Sequence, residues 1–157
     1  MLIHSDAYQK EWRKFLSTVK EKCVPSNPLN VFISYAWETH GADNVVLQNR
    51  LKSLDQDLME AGIEKVFLDL KQMDGNVEAA MKENLAKSQV VIVIATTWYK
   101  QRVQNRKTNA GIEYSEILLG LTAGRLQVFP LWLQGSVPTD AIPKELQALP
   151  YTDARDS

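Results

Sequence analysis

The chain of 157 residues has little of what most acid–base and metal chemistry uses: one cysteine, Cys23, and two histidines, His4 and His40. A single cysteine forms no internal disulfide and supplies no thiolate cage, which fits a reducing, cytoplasmic setting. With one histidine in a tail and the other in a loop, a His-rich zinc site and histidine acid–base catalysis are set aside. The expectation is no metal. No apolar run approaches the ~20 residues that cross a bilayer. The start, Met1 to Tyr8, also lacks the basic and apolar regions of a signal peptide. Neither sign of charge is in excess, since 18 Lys+Arg against 19 Asp+Glu leave a formal net charge of −1. That balance removes the electrostatic footprint of a dedicated nucleic-acid binder. What is present, 45% hydrophobic and 24% charged residues, has the make-up of a globular domain rather than a disordered chain.

Phosphate-binding motifs are missing too. No Gly-rich loop runs into Lys and Ser/Thr, so there is no P-loop. No Gly-x-Gly-x-x-Gly follows the first strand, so a dinucleotide cannot sit in the Rossmann manner. The first strand ends Ser34-Tyr35-Ala36-Trp37 rather than in the acidic pair of a phosphoacceptor domain. Carboxylate and aromatic side chains are left to carry any chemistry.

The pattern along the chain is one added helix followed by alternating strands and helices. Ser5 or Asp6 caps the first helix, and Tyr8, Trp12, Phe15 and Val19 form its apolar stripe. It ends before Pro25 and Pro28, which divides the chain into an N-terminal helix and linker start over 1–24 and a main domain over 25–157. Val31–Tyr35 reads as a strand. Leu47, Leu51, Leu54 and Leu58 mark a helix that stops at Gly62. Lys65–Asp69 is the second strand. Asn76 caps a helix with Val77, Ala80, Met81 and Leu85 inward. Val90–Ile94 is a strand buried on both faces. Lys100–Asn109 reads as a mobile loop. A helix from near Gly111 turns Ile117, Leu118 and Leu121 inward, and Gln127–Trp132 is a fourth strand whose Pro130 suggests an edge or a strand end. A short helix at Lys144–Ala148 and an extended piece near Tyr151 complete the pattern. Such alternation predicts an α/β fold with a parallel sheet of four to five strands and helices on both faces. Ligands then bind at the carboxyl ends of the strands, near Ser34–Trp37, Asp69–Asn76 and Ala95–Glu116.

An ordered set of motifs resembles a known family. Asn30-Val31-Phe32-Ile33-Ser34-Tyr35 is similar to the first signature of Toll/interleukin-receptor (TIR) domains. Gly62-Ile63, Val66 to Asp69 and Gly75 resemble its second strand and the loop that follows. Ser88, Val90 to Ile94 and Trp98-Tyr99 resemble the third strand and its loop. Glu116-Ile117-Leu118-Leu119 and Val128-Phe129-Pro130 resemble the next helix and fourth strand. The match runs from Asn30 to Trp132, with the SEFIR branch as a near neighbour.

The resemblance implies a flavodoxin-like fold and two kinds of function. Some TIR domains cleave NAD+ at the nicotinamide–ribose bond, with NAD+ as substrate and no cofactor. Others only bind further TIR domains, in their own copies or in a host that a delivered bacterial protein mimics. The essential glutamate of the catalytic members corresponds to Glu116, with Glu113 one turn earlier as the alternative. Nicotinamide leaves as a neutral ring, so one carboxylate suffices to stabilise the positive charge growing at the ribose. Ser34, Tyr35, Ala36, Trp37, Asp69, Lys71, Gly75 and Trp98 are the candidate substrate-binding residues: Tyr35, Trp37 and Trp98 to stack on rings, Lys71 and the backbone at Gly75 for the phosphates. Five of these have a plainer reading. Trp37 and Trp98 can be packing residues, Asp69 a turn cap, Gly75 a positive-φ hinge, Lys71 a solvated loop residue. Many catalytic members carry basic residues where this chain has Ala36 and Trp37. The family's final helix has no counterpart before Ser157, which implies a domain cut short at its C-terminal end. The resemblance also implies activity that depends on self-association, because two copies can complete one site.

Overall fold

The computed structural model describes residues 13–18, 21, 29–36, 41–63, 65–68 and 77–155. Residues 13–18 are helical and are called α1. Then follow β1 (Asn30–Ser34), α2 (Gly41–Glu60), β2 (Lys65–Phe67), α3 (Val77–Ala86), β3 (Val90–Ala95), α4 (Thr97–Gln104), α5 (Asn109–Thr122) and β4 (Gln127–Trp132). Two short 3-10 helices, Pro138–Asp140 and Lys144–Leu146, lead to β5 (Thr152–Asp153).

The strands form one five-stranded sheet in the order β2-β1-β3-β4-β5, and every pairing is parallel. β3 lies at its centre because its sequence, Val-Val-Ile-Val-Ile-Ala, suits burial on both faces, and all six residues are buried. The period of two sends Val91, Val93 and Ala95 to one face and Val90, Ile92 and Ile94 to the other. The first face carries α3, α4, α5 and the 3-10 helix at Lys144–Leu146, contributing Met81, Leu85, Tyr99, Val103, Tyr114, Ile117 and Leu146. The second carries α2 through Leu47, Leu51, Leu54 and Leu58, all buried as their spacing predicts. Gly62, at φ 98°, ends the turn after α2, and Ile63 N donates back to Leu58 O at 3.2 Å. Among the described residues no helix is long and apolar enough to cross a membrane.

α1 packs on the α2 side of the sheet. Phe15 is buried there, edge-on to Phe129 with centroids 5.9 Å apart. Tyr8, Trp12 and Val19, the rest of the expected stripe, lie outside the described residues. At the sheet edge beside β4, β5 is held by Arg155, whose Nε is 3.0 Å from Asp153 Oδ1 and whose guanidinium carbon is 3.4 Å from the Trp132 ring centroid. That guanidinium holds the Asp153 carboxyl below its ordinary range. Arg50 of α2 reaches the neighbouring Ala154 carbonyl.

Three expectations need correction. β1 ends at Ser34, so Tyr35 follows the strand. The polar stretch read as a mobile loop is helical up to Gln104. Thr96 caps that helix by accepting from Tyr99 N at 2.9 Å, and Tyr99 and Val103, one turn apart, are its buried face. The surrounding lysine, arginine and glutamines hid a two-residue apolar stripe. Finally, β4 is not an edge strand. Gln127 N and Leu133 N donate to the backbone oxygens of Gln89 and Ala95, so odd-numbered amides face β3 and Pro130 faces the other way. On that side β5 pairs only from Leu131 onward, and the missing N–H of Pro130 leaves no ladder bond unmade.

Candidate functional site

The site lies where β1 ends on the face covered by α4 and α5. Strand alternation turns Ile33 to the α2 side, and Phe32 and Ser34 to the other. Ser34 is 1% exposed, and a hydroxyl so buried needs partners. It has two. Ser34 Oγ is 2.5 Å from Glu113 Oε1 and 2.8 Å from Tyr99 Oη.

Each partner is delivered by a capped helix start. Thr96 begins α4 and places Tyr99 in its first turn. Thr108 begins α5 by accepting from Gly111 N at 3.0 Å, and Glu113 follows in the next turn. Gly111 is what lets the two helices meet so tightly. A Cβ there would lie 2.1 Å from Asn105 O, inside any permitted contact.

Proton counting sets the direction of the chain of hydroxyls. An ionised carboxylate only accepts, and a serine has one proton to give. Ser34 therefore donates to Glu113, and Tyr99 donates to Ser34. Burial, then the nearby Glu113 charge, pushes the Tyr99 phenol far above its ordinary range, so it stays a neutral donor.

A second set of contacts surrounds the first. The Tyr99 and Tyr114 rings meet edge to face at 6.4 Å. Tyr114 Oη donates to Glu145 Oε1 at 2.8 Å, and Arg106 Nη2 lies 3.6 Å from Glu145 Oε2. The Arg106 guanidinium carbon is also 4.8 Å from the Tyr114 ring centroid. Burial first, and then the bond to Glu145, raises the Tyr114 phenol, while that same bond holds the Glu145 carboxyl below its ordinary range.

The other sequence candidates are spread more widely. Glu116, one turn beyond Glu113, has its Oε1 3.8 Å from Lys82 Nζ on α3 and a side chain 36% exposed. Of the two glutamates, Glu113 is the one joined to Ser34. Tyr35 packs against the opposite apolar layer, so it does not share the face of Ser34, and Ala36 is buried in the core on the Ser34 side. Trp98 is half-buried under Arg102, whose guanidinium carbon is 5.5 Å from the ring centroid. Its indole Nε1 is buried and has no acceptor among the described residues. Trp37, Asp69, Lys71 and Gly75 lie outside the described residues. Among the described residues no cluster of three or more His, Cys, Asp or Glu is placed to hold a metal ion.

Sequence reasoning did not single out Tyr99, Tyr114, Arg106 or Glu145 as site residues. Tyr99 had a signal, its spacing of four from Val103, obscured by the loop reading. The Tyr114–Glu145 contact joins residues 31 positions apart and leaves no local pattern.

Comparison with known proteins agrees with this architecture. The TIR domain family model matches residues 31–157. Among solved structures, the fold is similar to that described as "Crystal Structure of a prokaryotic SEFIR domain", with a TM-score of 0.54 and 20% sequence identity, covering 78% of this chain and 85% of that one. At that identity the likeness is one of fold. No curated protein matches the chain.

Proposed function

The chain belongs to the TIR domain family, and from that premise we propose that it is an NAD+ glycohydrolase with Glu113 as its catalytic carboxylate. The observation that carries this reading is the 2.5 Å contact from Ser34 Oγ to Glu113 Oε1, at the carboxyl end of a parallel strand. That is where open α/β sheets bind ligands.

The chemistry asks little of the protein. The bond between the ribose anomeric carbon and the nicotinamide nitrogen breaks, and its electron pair leaves with the neutral ring. Glu113 hydrogen-bonds a ribose hydroxyl and stabilises the positive charge that builds on the sugar. Water then adds to the anomeric carbon and loses a proton, giving ADP-ribose, or a ring nitrogen of the adenine adds instead, giving a cyclic product. Trp98, with Trp37, offers ring faces for stacking, and Lys71 and the backbone at Gly75 serve the phosphates.

A second reading is non-enzymatic: a scaffold that associates with other TIR domains, its own copies or those of a host. The burial of Ser34 and Tyr99 favours it, because the same hydrogen bonds also fasten α4 and α5 to the sheet. One experiment separates the two. Concentrated protein is incubated with NAD+ and nicotinamide release is followed. Glu113→Gln is expected to lower turnover by about 100-fold or more, the scale of losing one charge-stabilising group. Glu116→Gln leaves it near wild type. The reverse result moves the catalytic role to Glu116, and no release from the wild-type protein leaves the scaffold reading standing.

A further inference from the structure

We infer that Ser34 and Tyr99 are positioning residues, a two-hydroxyl chain that aims the Glu113 carboxylate and keeps it ionised toward acid pH. The inference rests on the proposed role of Glu113, and its test reads the carboxylate directly.

The geometry is one of forced direction. Ser34 Oγ is in hydrogen-bond reach of Glu113 Oε1 and Tyr99 Oη, at 2.5 and 2.8 Å. With Glu113 ionised, the only consistent arrangement runs from Tyr99 to Ser34 to Glu113. Donation to the charged form of a carboxylate favours that form. The second hydroxyl strengthens the first, because hydrogen bonds in series polarise one another in a low-dielectric site. When Glu113 takes up a proton, Ser34 loses its acceptor of charge and the sense of the chain is no longer fixed. Ionisation and aim are thus one property.

Charged groups on the surrounding described elements have contacts of their own. On α5 itself Glu116 is paired with Lys82 of α3, and on α3 Glu83 is paired with Lys87 at 3.0 Å. On α4 Lys100 donates to the Thr139 carbonyl and Arg102 lies over Trp98. Arg106, after α4, is engaged with Glu145 and Tyr114. β1 contributes Ser34 alone. The hydroxyl chain is a neutral, buried contact made directly to the Glu113 carboxylate.

The test is a carboxyl carbon NMR titration of the full chain, comparing wild type with Ser34→Ala, Tyr99→Phe and the double variant. Ser34→Ala alone strands the buried Tyr99 hydroxyl and can cost stability, whereas the double variant removes both partners together. Ser34→Ala and the double variant are expected to raise the Glu113 pKa by about half to one unit, the scale of one hydrogen bond to the charged form. Tyr99→Phe raises it by less. The acid limb of kcat/KM for NAD+ shifts upward with Glu113. A purely structural role lowers the folded fraction and leaves the titration in place. A Glu113 titration unmoved in the folded double variant overturns the inference. A moved titration supports it even in a protein that cleaves no NAD+, and in that case only the enzymatic reading fails.

Discussion

Tyr114 Oη donates to Glu145 Oε1 across 2.8 Å, joining a fully buried ring on α5 to a carboxylate on the chain's last 3-10 helix. This bond is the first cause of the lowered Glu145 pKa. A carboxyl whose folded pKa lies below its unfolded value adds stability above that unfolded value, and loses it as pH falls through the folded one. Tyr114→Phe is expected to cost about 1–2 kcal/mol at neutral pH, towards the low side for a hydrogen bond to a charged group because solvent screens the exposed Glu145 carboxylate. The gap in Tm between the two proteins should narrow as pH drops below 4.5, the ordinary value for this carboxyl. Thermal melts at several pH values check it, and a constant gap would show that Glu145 is not the group involved.

Gly111 and Gly124 make opposite predictions for the same substitution. At Gly111 a Cβ would stand 2.1 Å from Asn105 O, a backbone atom that cannot swing aside. Gly111→Ala should cost about 3 kcal/mol or more, as overpacking against backbone does. It should also lower NAD+ turnover, because α5 carries Glu113 away from Ser34. At Gly124 there is open space but φ is 74°, so Gly124→Ala should cost only the ~1–2 kcal/mol of the left-handed conformation and leave turnover alone. Urea unfolding gives both values, and equal losses would contradict the contact argument.

Phe15 tests whether the N-terminal helix belongs to the domain. It is buried edge-on to Phe129, so Phe15→Ala should cost about 3 kcal/mol, the lower end for a buried phenylalanine. Deleting residues 1–22 should lower the urea midpoint at least as far. If neither change moves the midpoint, the helix adds nothing to the stability of the sheet.

What was legible in the sequence follows from the range of the interactions. β3 shows itself because six consecutive buried residues leave no other reading, and α2 because its leucines repeat at helical spacing. α4 did not, since only Tyr99 and Val103 face inward and the rest of the helix is polar. Pro130 misled because its missing N–H faces away from β3, and whether a ladder bond is lost on that side depends on where β5 begins, which nothing near Pro130 encodes. The site divides in the same way. Ser34 stands out as the polar end of an apolar strand, and Glu113 is named beside Glu116 as the alternative one turn earlier. Choosing between two glutamates one turn apart needs the orientation of α5 over the sheet. That orientation is set by Thr108 and by the close approach that Gly111 permits, through contacts that hydrophobic periodicity does not record.

Dependence on assembly makes the last prediction, and mass action gives it a definite shape. TIR domains commonly act on one another, and the enzymatic reading assigns phosphate binding to Lys71 and the backbone at Gly75, with no basic residue at Ala36 or Trp37. If a second copy completes the site, turnover per molecule tracks the fraction assembled. It then rises in proportion to protein concentration well below the dissociation constant and levels off above it. The measurement is a concentration series of nicotinamide release read beside light scattering. Mixing sharpens it. Adding Glu113→Gln protein to a fixed, dilute amount of wild type should raise the activity of the wild-type chains, since an inactive copy can still supply the neighbour's surface. A Gly75 variant with a bulky side chain should lose both the association and the rise. Activity that stays flat per molecule in a confirmed monomer, and is indifferent to added Glu113→Gln protein, would place the whole reaction within one chain.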